Sequence, residues 1–273
     1  SAEFWGLRMS PGLVGTRADV DLPLPDNVRR YYFPGTTHGG GRGGFVAGAN
    51  DRPGRYELPL NPNPQSETMR ALFVALTDWV TRDVEPPSSA YPRLDRGELV
   101  RPDHRPMGFP PIPGQPLPDN LINPFYDYDF GPEFNRADVS GVMTRQPPII
   151  RGLIPQLVPT VDSDGNETSG VASVLHQAPL GTYLGWNVNS GGFYQGHGGG
   201  FQGGYIPFAE TRAARLAAGD PRPSIEERYT NHAGYVAAVQ RAAEGLVQRR
   251  FLLPEDASRL VKQAETSNVL KNR

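Results

Sequence analysis

The sequence predicts an α/β fold in which one strand and the helix covering it belong to a sheet, followed by a loop-rich extension and closing helices. Three observations carry this. Residues Val28 to Phe33 are rich in β-branched and aromatic types and are bounded by Pro25-Asp26-Asn27 and Pro34-Gly35, the composition and punctuation of a strand. Between Pro64 and Arg82, Met69, Leu72, Phe73, Leu76 and Val80 recur at three- and four-residue steps with Trp79 beside them, the period of an amphipathic helix whose stripe is core. Glycine (32) and proline (29) take more than a fifth of the 273 residues, which argues for long loops ordered by packing.

The strand is the element that delivers chemistry. It leads through Pro34-Gly35-Thr36-Thr37 to His38, at the start of a glycine-rich loop, where an imidazole can titrate near neutrality. The plain alternative is a polar loop histidine with no chemical role. Upstream, the chain opens on Ser1-Ala2-Glu3-Phe4-Trp5, an acid among bulky aromatics, which reads as the interior of something longer. Glu3 and His38 stand 35 positions apart, a spacing that fits two successive strand ends on one edge of a sheet.

Composition narrows the classes. A net charge of -2 gives no electrostatic footprint for nucleic acid. No apolar run approaches the roughly 20 residues that span a bilayer, so no membrane span is expected. With no cysteine there is neither a disulfide nor a thiolate metal site, and a periplasmic or secreted home stays compatible with the sequence. Nothing calls for a cofactor, and homo-oligomerisation is left open.

Several motifs are weighed against plainer readings. His38-Gly39-Gly40-Gly41 and His197-Gly198-Gly199-Gly200 copy the HGGG string that supplies oxyanion amides in some esterases, but no G-x-S-x-G follows either one. Asp162-Ser163-Asp164-Gly165-Asn166-Glu167 resembles the start of a calcium loop; without helical flanks or later ligands, a hairpin turn is the better reading, and cation binding by Asp162 and Asp164 is left open. Between Gly181 and Tyr205, glycines alternate with aromatics. Trp186, Tyr183, Phe193 and His197 are the candidates for a substrate-binding cleft, against a loop packed by its own rings. His104, His176 and His232 have no acidic partner at ligand-like spacing and read as structural. A chain beginning with serine also raises an N-terminal-nucleophile hydrolase using Ser1.

The remaining elements follow from local signals. Asn63-Pro64 offers a cap and first helical position, and Glu85-Pro86-Pro87 ends that helix. A hairpin is expected at 93–100, and Pro110 to Pro113 and Pro124 to Phe130 read as segments lying along a host surface. Helices are expected from Phe208 to Ala218, from the Ser224-Ile225-Glu226-Glu227 capping box through Val247, and from Leu253-Pro254 onward. This divides the chain into a core segment over 1–85, a Pro/Gly-rich wrapping extension over 86–206 and a helical segment over 207–273.

Five strings in order, Ser1 to Trp5, Tyr32 to Gly39, Val161 to Glu167, Pro179 to Asn187 and Gly219 to Tyr229, together resemble a bacterial family described as alpha/beta-hydrolase domain proteins, over essentially the whole chain. The resemblance implies the C-terminal part of an α/β-hydrolase, with the sheet's last strand and covering helix here and the nucleophilic serine in a separate N-terminal part of the same polypeptide. In that family's order of serine, acid and histidine, Glu3 matches the orienting acid and His38 the base, with Asp19 and Asp21 as substitutes for the acid. The implied activity is hydrolysis of a small carboxylic ester. The competing expectation is a non-catalytic binding or assembly module built on the glycine-aromatic region.

Overall fold

The computed structural model describes residues 1–48 and 54–271. Two apolar clusters organise them, and loops rather than a broad sheet fill the space between. The first gathers Val171, Leu175, Leu180, Tyr183, Tyr205 and Phe208 with the closing helices. The second joins Phe4, Trp5 and Tyr32 to Phe109, Val158 and Trp186. Both draw on widely separated stretches, so the core cuts across the three expected segments.

Helices α1 (Ala2–Gly6) and α2 (Pro11–Val14) open the chain, and α3 (Ser66–Arg82) is the first long element. Three antiparallel pairs follow: β1 (Leu99–Val100) with β4 (Val158–Pro159), β2 (Tyr126–Asp129) with β3 (Ile149–Leu153), and β5 (Gly181–Tyr183) with β6 (Tyr205–Pro207). Short helices α4 (His104–Met107) and α5 (Val174–Gln177) lie between them. The chain closes with α6 (Arg212–Ala218), α7 (Ile225–Tyr229), α8 (His232–Gln248) and α9 (Pro254–Thr266).

The expected strand at Val28 to Phe33 is extended but forms no ladder. A single parallel bridge joins Tyr31 to Ala90, with Tyr32 N donating to Ala90 O at 2.9 Å and Ala90 N to Arg30 O at 2.9 Å. Val171 N in turn donates to Tyr32 O at 2.7 Å. Pro86, Pro87 and Pro92 flank the partner segment, and proline has no N–H to extend a ladder.

Helix α3 forms as the period predicts, yet the stripe is not core. Met69, Phe73, Leu76 and Val80 are exposed, while the buried residues are Thr68, Ala71 and Ala75. Leu72 alone of the stripe packs, partly buried, against the first cluster, and the helix is linked to α9 by Arg70 with Asp256 at 2.7 Å and Glu67 with Arg259 at 3.0 Å. The helix starts two residues later than expected, because Asn63 spends its side chain elsewhere, as described below.

Other departures have local causes. The 93–100 stretch folds back through Gly97 N to Leu94 O and Glu98 N to Arg93 O, each at 3.0 Å, and the strand that follows, β1, pairs with β4. The aromatic-acidic run becomes strand β2 of an amphipathic ribbon. Tyr126, Tyr128, Ile150 and Leu153 share one face by register, and on the other Asp129 binds Arg145 and Arg151. The Ser224 capping box forms as expected, but the helix breaks at Thr230 (φ 65), where Asn231 takes over as a new cap by accepting from Gly234 N. The Phe208 helix begins only at Arg212, capped by Thr211, since Phe208 is buried at the end of β6.

Candidate active site

Local geometry at His38 begins with Gly35. Its φ of 56° is open to glycine, and a Cβ there would lie 2.6 Å from Tyr183 O. Two buried asparagines hold this turn from below. Asn63 Nδ2 donates to Pro34 O at 2.9 Å and Gly35 O at 2.8 Å, and Asn61 Nδ2 donates to Gly35 O at 2.8 Å and Leu184 O at 2.9 Å. Buried amide groups without partners would cost a few kcal/mol each, so the turn and the asparagines satisfy one another.

Beyond the turn, two segments fix the histidine. Ala2 N, at the start of α1, donates to Thr36 O at 3.1 Å. His38 N and the Thr37 hydroxyl both donate to Phe201 O, at 3.1 and 2.9 Å. The Phe201 ring lies against the imidazole, centroids 4.9 Å apart. Phe201 thus comes from the glycine-aromatic region, and no spacing in the sequence signals the contact.

Helix α1 presents Glu3 to this histidine, with Oε1 of Glu3 2.8 Å from Nδ1 of His38. A proton on Nδ1, donated to the carboxylate, leaves Nε2 as the basic nitrogen, and the His38 side chain is 59% exposed. Burial acts to raise the Glu3 carboxyl, while the His38 hydrogen bond and a backbone N–H act to lower it. The substitutes Asp19 and Asp21 are committed elsewhere: Asp19 pairs with Arg17 at 2.9 Å, and Asp21 accepts from Leu94 N and Asp95 N, each at 2.9 Å.

A cleft of about 440 Å³ opens beside His38, walled by Thr37, Gly40, Gly43, Pro62 and Gln202. That volume suits a small ligand. A second, apolar cleft of about 330 Å³ lies on the Glu3 side, lined by Phe4, Leu13, Tyr32 and Tyr91.

The four candidate substrate-binding residues do not converge. Tyr183 is buried, stacked on Tyr205 at 5.3 Å, and burial holds its phenol well above the usual range. Trp186 is buried between Trp5 and Phe109, at 5.9 and 5.8 Å. Phe193, 91% exposed, sits on an outer loop against Tyr194, and His197 is exposed on the same loop. Two of the four are therefore core and two are surface, because the alternating glycines let the chain turn between each ring.

Ser1 is buried, and its hydroxyl donates to Glu167 at 2.9 Å, a poor setting for an attacking nucleophile. The Asp162 to Glu167 segment is a tight turn: Asp162 N donates to Asn166 O, Val161 bridges Glu167, and Asp164 is tied to Arg228. No group of three or more His, Asp or Glu residues that could hold a metal occurs among the described residues. His104 differs from its expectation, since Asp119 accepts from its backbone N and contacts its Nδ1, both at 2.7 Å. The short α4 start is clamped this way, by an acid 15 residues downstream rather than at ligand-like spacing.

Among the helices of the described residues, none is long and apolar enough to cross a membrane. Comparison with curated proteins finds no match, and no solved structure matches the chain. One family model does match, described as an alpha/beta hydrolase domain, over residues 9–262, a range that includes His38 and begins just after Glu3. With that match covering most of its length, the chain belongs to the alpha/beta hydrolase domain family.

Proposed function

We propose that this chain supplies the acid and base of a serine-dependent carboxylic-ester hydrolase. The observation that carries the reading is the 2.8 Å contact between Glu3 Oε1 and His38 Nδ1 at the mouth of a ligand-sized cleft. A serine hydroxyl becomes a competent nucleophile when a neutral imidazole takes its proton, and a carboxylate on the far nitrogen fixes the tautomer and stabilises the imidazolium. Glu3 and His38 have the chemistry for those two roles.

The nucleophile belongs, in this proposal, to a separate N-terminal part of the same polypeptide. Two observations support that. The sequence contains no G-x-S-x-G, and among the described residues no serine hydroxyl is hydrogen-bonded to His38. The outward stripe of Met69, Phe73, Leu76 and Val80 on α3 is then the surface that packs against the remaining sheet. An apolar row of that length gains stability by being covered.

The test uses the polypeptide extended on its N-terminal side and a short activated ester. His38→Ala should abolish turnover, and Glu3→Gln should reduce it by as much as about 10⁴; equal turnover by His38→Ala ends the proposal. The chain alone should not react with a fluorophosphonate probe. Labelling of the isolated chain would place a nucleophile within it. A binding module remains the second reading, favoured by the exposed Phe193 and Tyr194 on one loop. Partner or ligand binding lost in Phe193→Ala, with no ester turnover in the extended polypeptide, would support it instead.

A further inference from the structure

Glu167 is a buried carboxylate that the triad chemistry leaves unused. It follows the Asp162 turn, is only 6% exposed, and has no lysine or arginine partner among the described residues. Burying a carboxylate costs several kcal/mol unless its oxygens are satisfied. Three donors satisfy this one: the Ser1 hydroxyl on Oε1 at 2.9 Å, and the Tyr32 hydroxyl and Gly35 N–H on Oε2, each at 2.7 Å.

The origin of those donors is informative. Ser1 immediately precedes α1 and stands two residues before Glu3; Tyr32 and Gly35 belong to the segment that ends at His38. All three come from the two stretches that carry the acid and the base, which near the pair are otherwise joined by Ala2 N to Thr36 O and by Ser1 N, 3.3 Å from Phe33 O and 3.2 Å from Thr36 Oγ1. Tyr32 stays protonated, and so remains a donor, because burial and then the Glu167 charge hold its phenol well above its usual value.

We propose that Glu167 is the positioning residue of the Glu3–His38 pair, its carboxylate clamping α1 to the histidine-bearing segment so that Glu3 meets Nδ1. This rests on the reading of Glu3 and His38 as acid and base. It assigns to a residue far along the chain the spacing between the two.

The test is proton NMR of this chain with labelled histidine, following solvent exchange of the His38 Nδ1–H. In the wild type the proton should be protected, and Glu3→Gln should weaken that protection. Glu167→Ala should speed exchange by about tenfold or more, the scale of one lost hydrogen-bond contribution. Glu167→Gln should restore protection, since its amide oxygen can accept from Tyr32 and Gly35 while its NH₂ donates to a reoriented Ser1 hydroxyl. Leu246→Ala, in the first cluster, controls for general destabilisation and should leave exchange unchanged.

Should Glu167→Ala fail to fold, Tyr32→Phe removes one donor while keeping the ring, and exchange several-fold faster is expected. Wild-type exchange in Glu167→Ala, in Tyr32→Phe where that variant decides, or equal acceleration in Leu246→Ala overturns the proposal. An unprotected proton in the wild type, indifferent to Glu3→Gln, overturns the Glu3–His38 reading itself and with it the role given to Glu167.

Discussion

His176 makes the stability of this fold sensitive to mild acid, and the size of the effect follows from its surroundings. It sits in α5, 8% exposed, against the Tyr183 ring, with no partner for Nε2 among the described residues. Burial lowers its pKa from 6.5 to about 4. The unfolded chain therefore binds a proton between these values that the folded chain refuses, so stability is complete above about pH 6.5 and declines as pH falls toward 4. Linkage gives a loss on the order of 1 kcal/mol between pH 7 and 5.5, and about 2 kcal/mol by pH 4.5. Other groups titrate over the same range, and a difference removes them. Urea unfolding of wild type and His176→Leu from pH 7.5 to 4.5 should show the variant losing less stability by roughly those amounts. Parallel pH profiles for the two proteins would refute the argument that a buried neutral imidazole sits at this position.

Three further outcomes are expected. Gly35→Ala should cost on the order of 3 kcal/mol by urea unfolding, because φ is 56° and the new methyl meets Tyr183 O; Gly12→Ala, with nothing within 4 Å, should be neutral or slightly stabilising. Arg222→Met should cost about 3–5 kcal/mol by the same assay, since Arg222 is buried, pairs with Asp220 at 2.6 Å and donates to Thr182, Ile206 and Pro207, and its loss strands the Asp220 charge. Phe73→Asp with Leu76→Asp should leave the unfolding of this chain nearly unchanged, both side chains being exposed, yet abolish its association with an added N-terminal part in a gel-filtration assay.

The contrast between α3 and α8 shows how far periodicity reaches. Both were legible as amphipathic helices, and both form. In α8 the apolar positions Tyr235, Val239 and Leu246 are core, whereas in α3 they face outward and Ala71 and Ala75 go in. A period gives a stripe; which face is buried depends on what stands opposite, and in α3 the face that meets the rest of the chain is that of Thr68, Ala71 and Ala75. The Ser224 box and the Asp162 turn were readable because their bonds close within a few residues. The glycine-aromatic region was not, since its rings choose between core and surface only when distant segments arrive: Tyr183 meets Tyr205, and Phe201 meets His38.

The local parts are legible in the residues alone: the helix periods, the caps, the turn at Asp162, and the histidine at the end of an extended segment, with Glu3 35 positions before it. The sequence also carried the family, through strings matched in order. Long-range packing brings Glu3 and His38 to 2.8 Å, sets Asn61 and Asn63 against the turn between them, and carries Glu167 to both stretches. The physical reason is range. Capping and turn bonds form between neighbours, whose identities are adjacent in the chain, while a buried carboxylate finds its donors more than 130 positions away, where packing alone sets the distance.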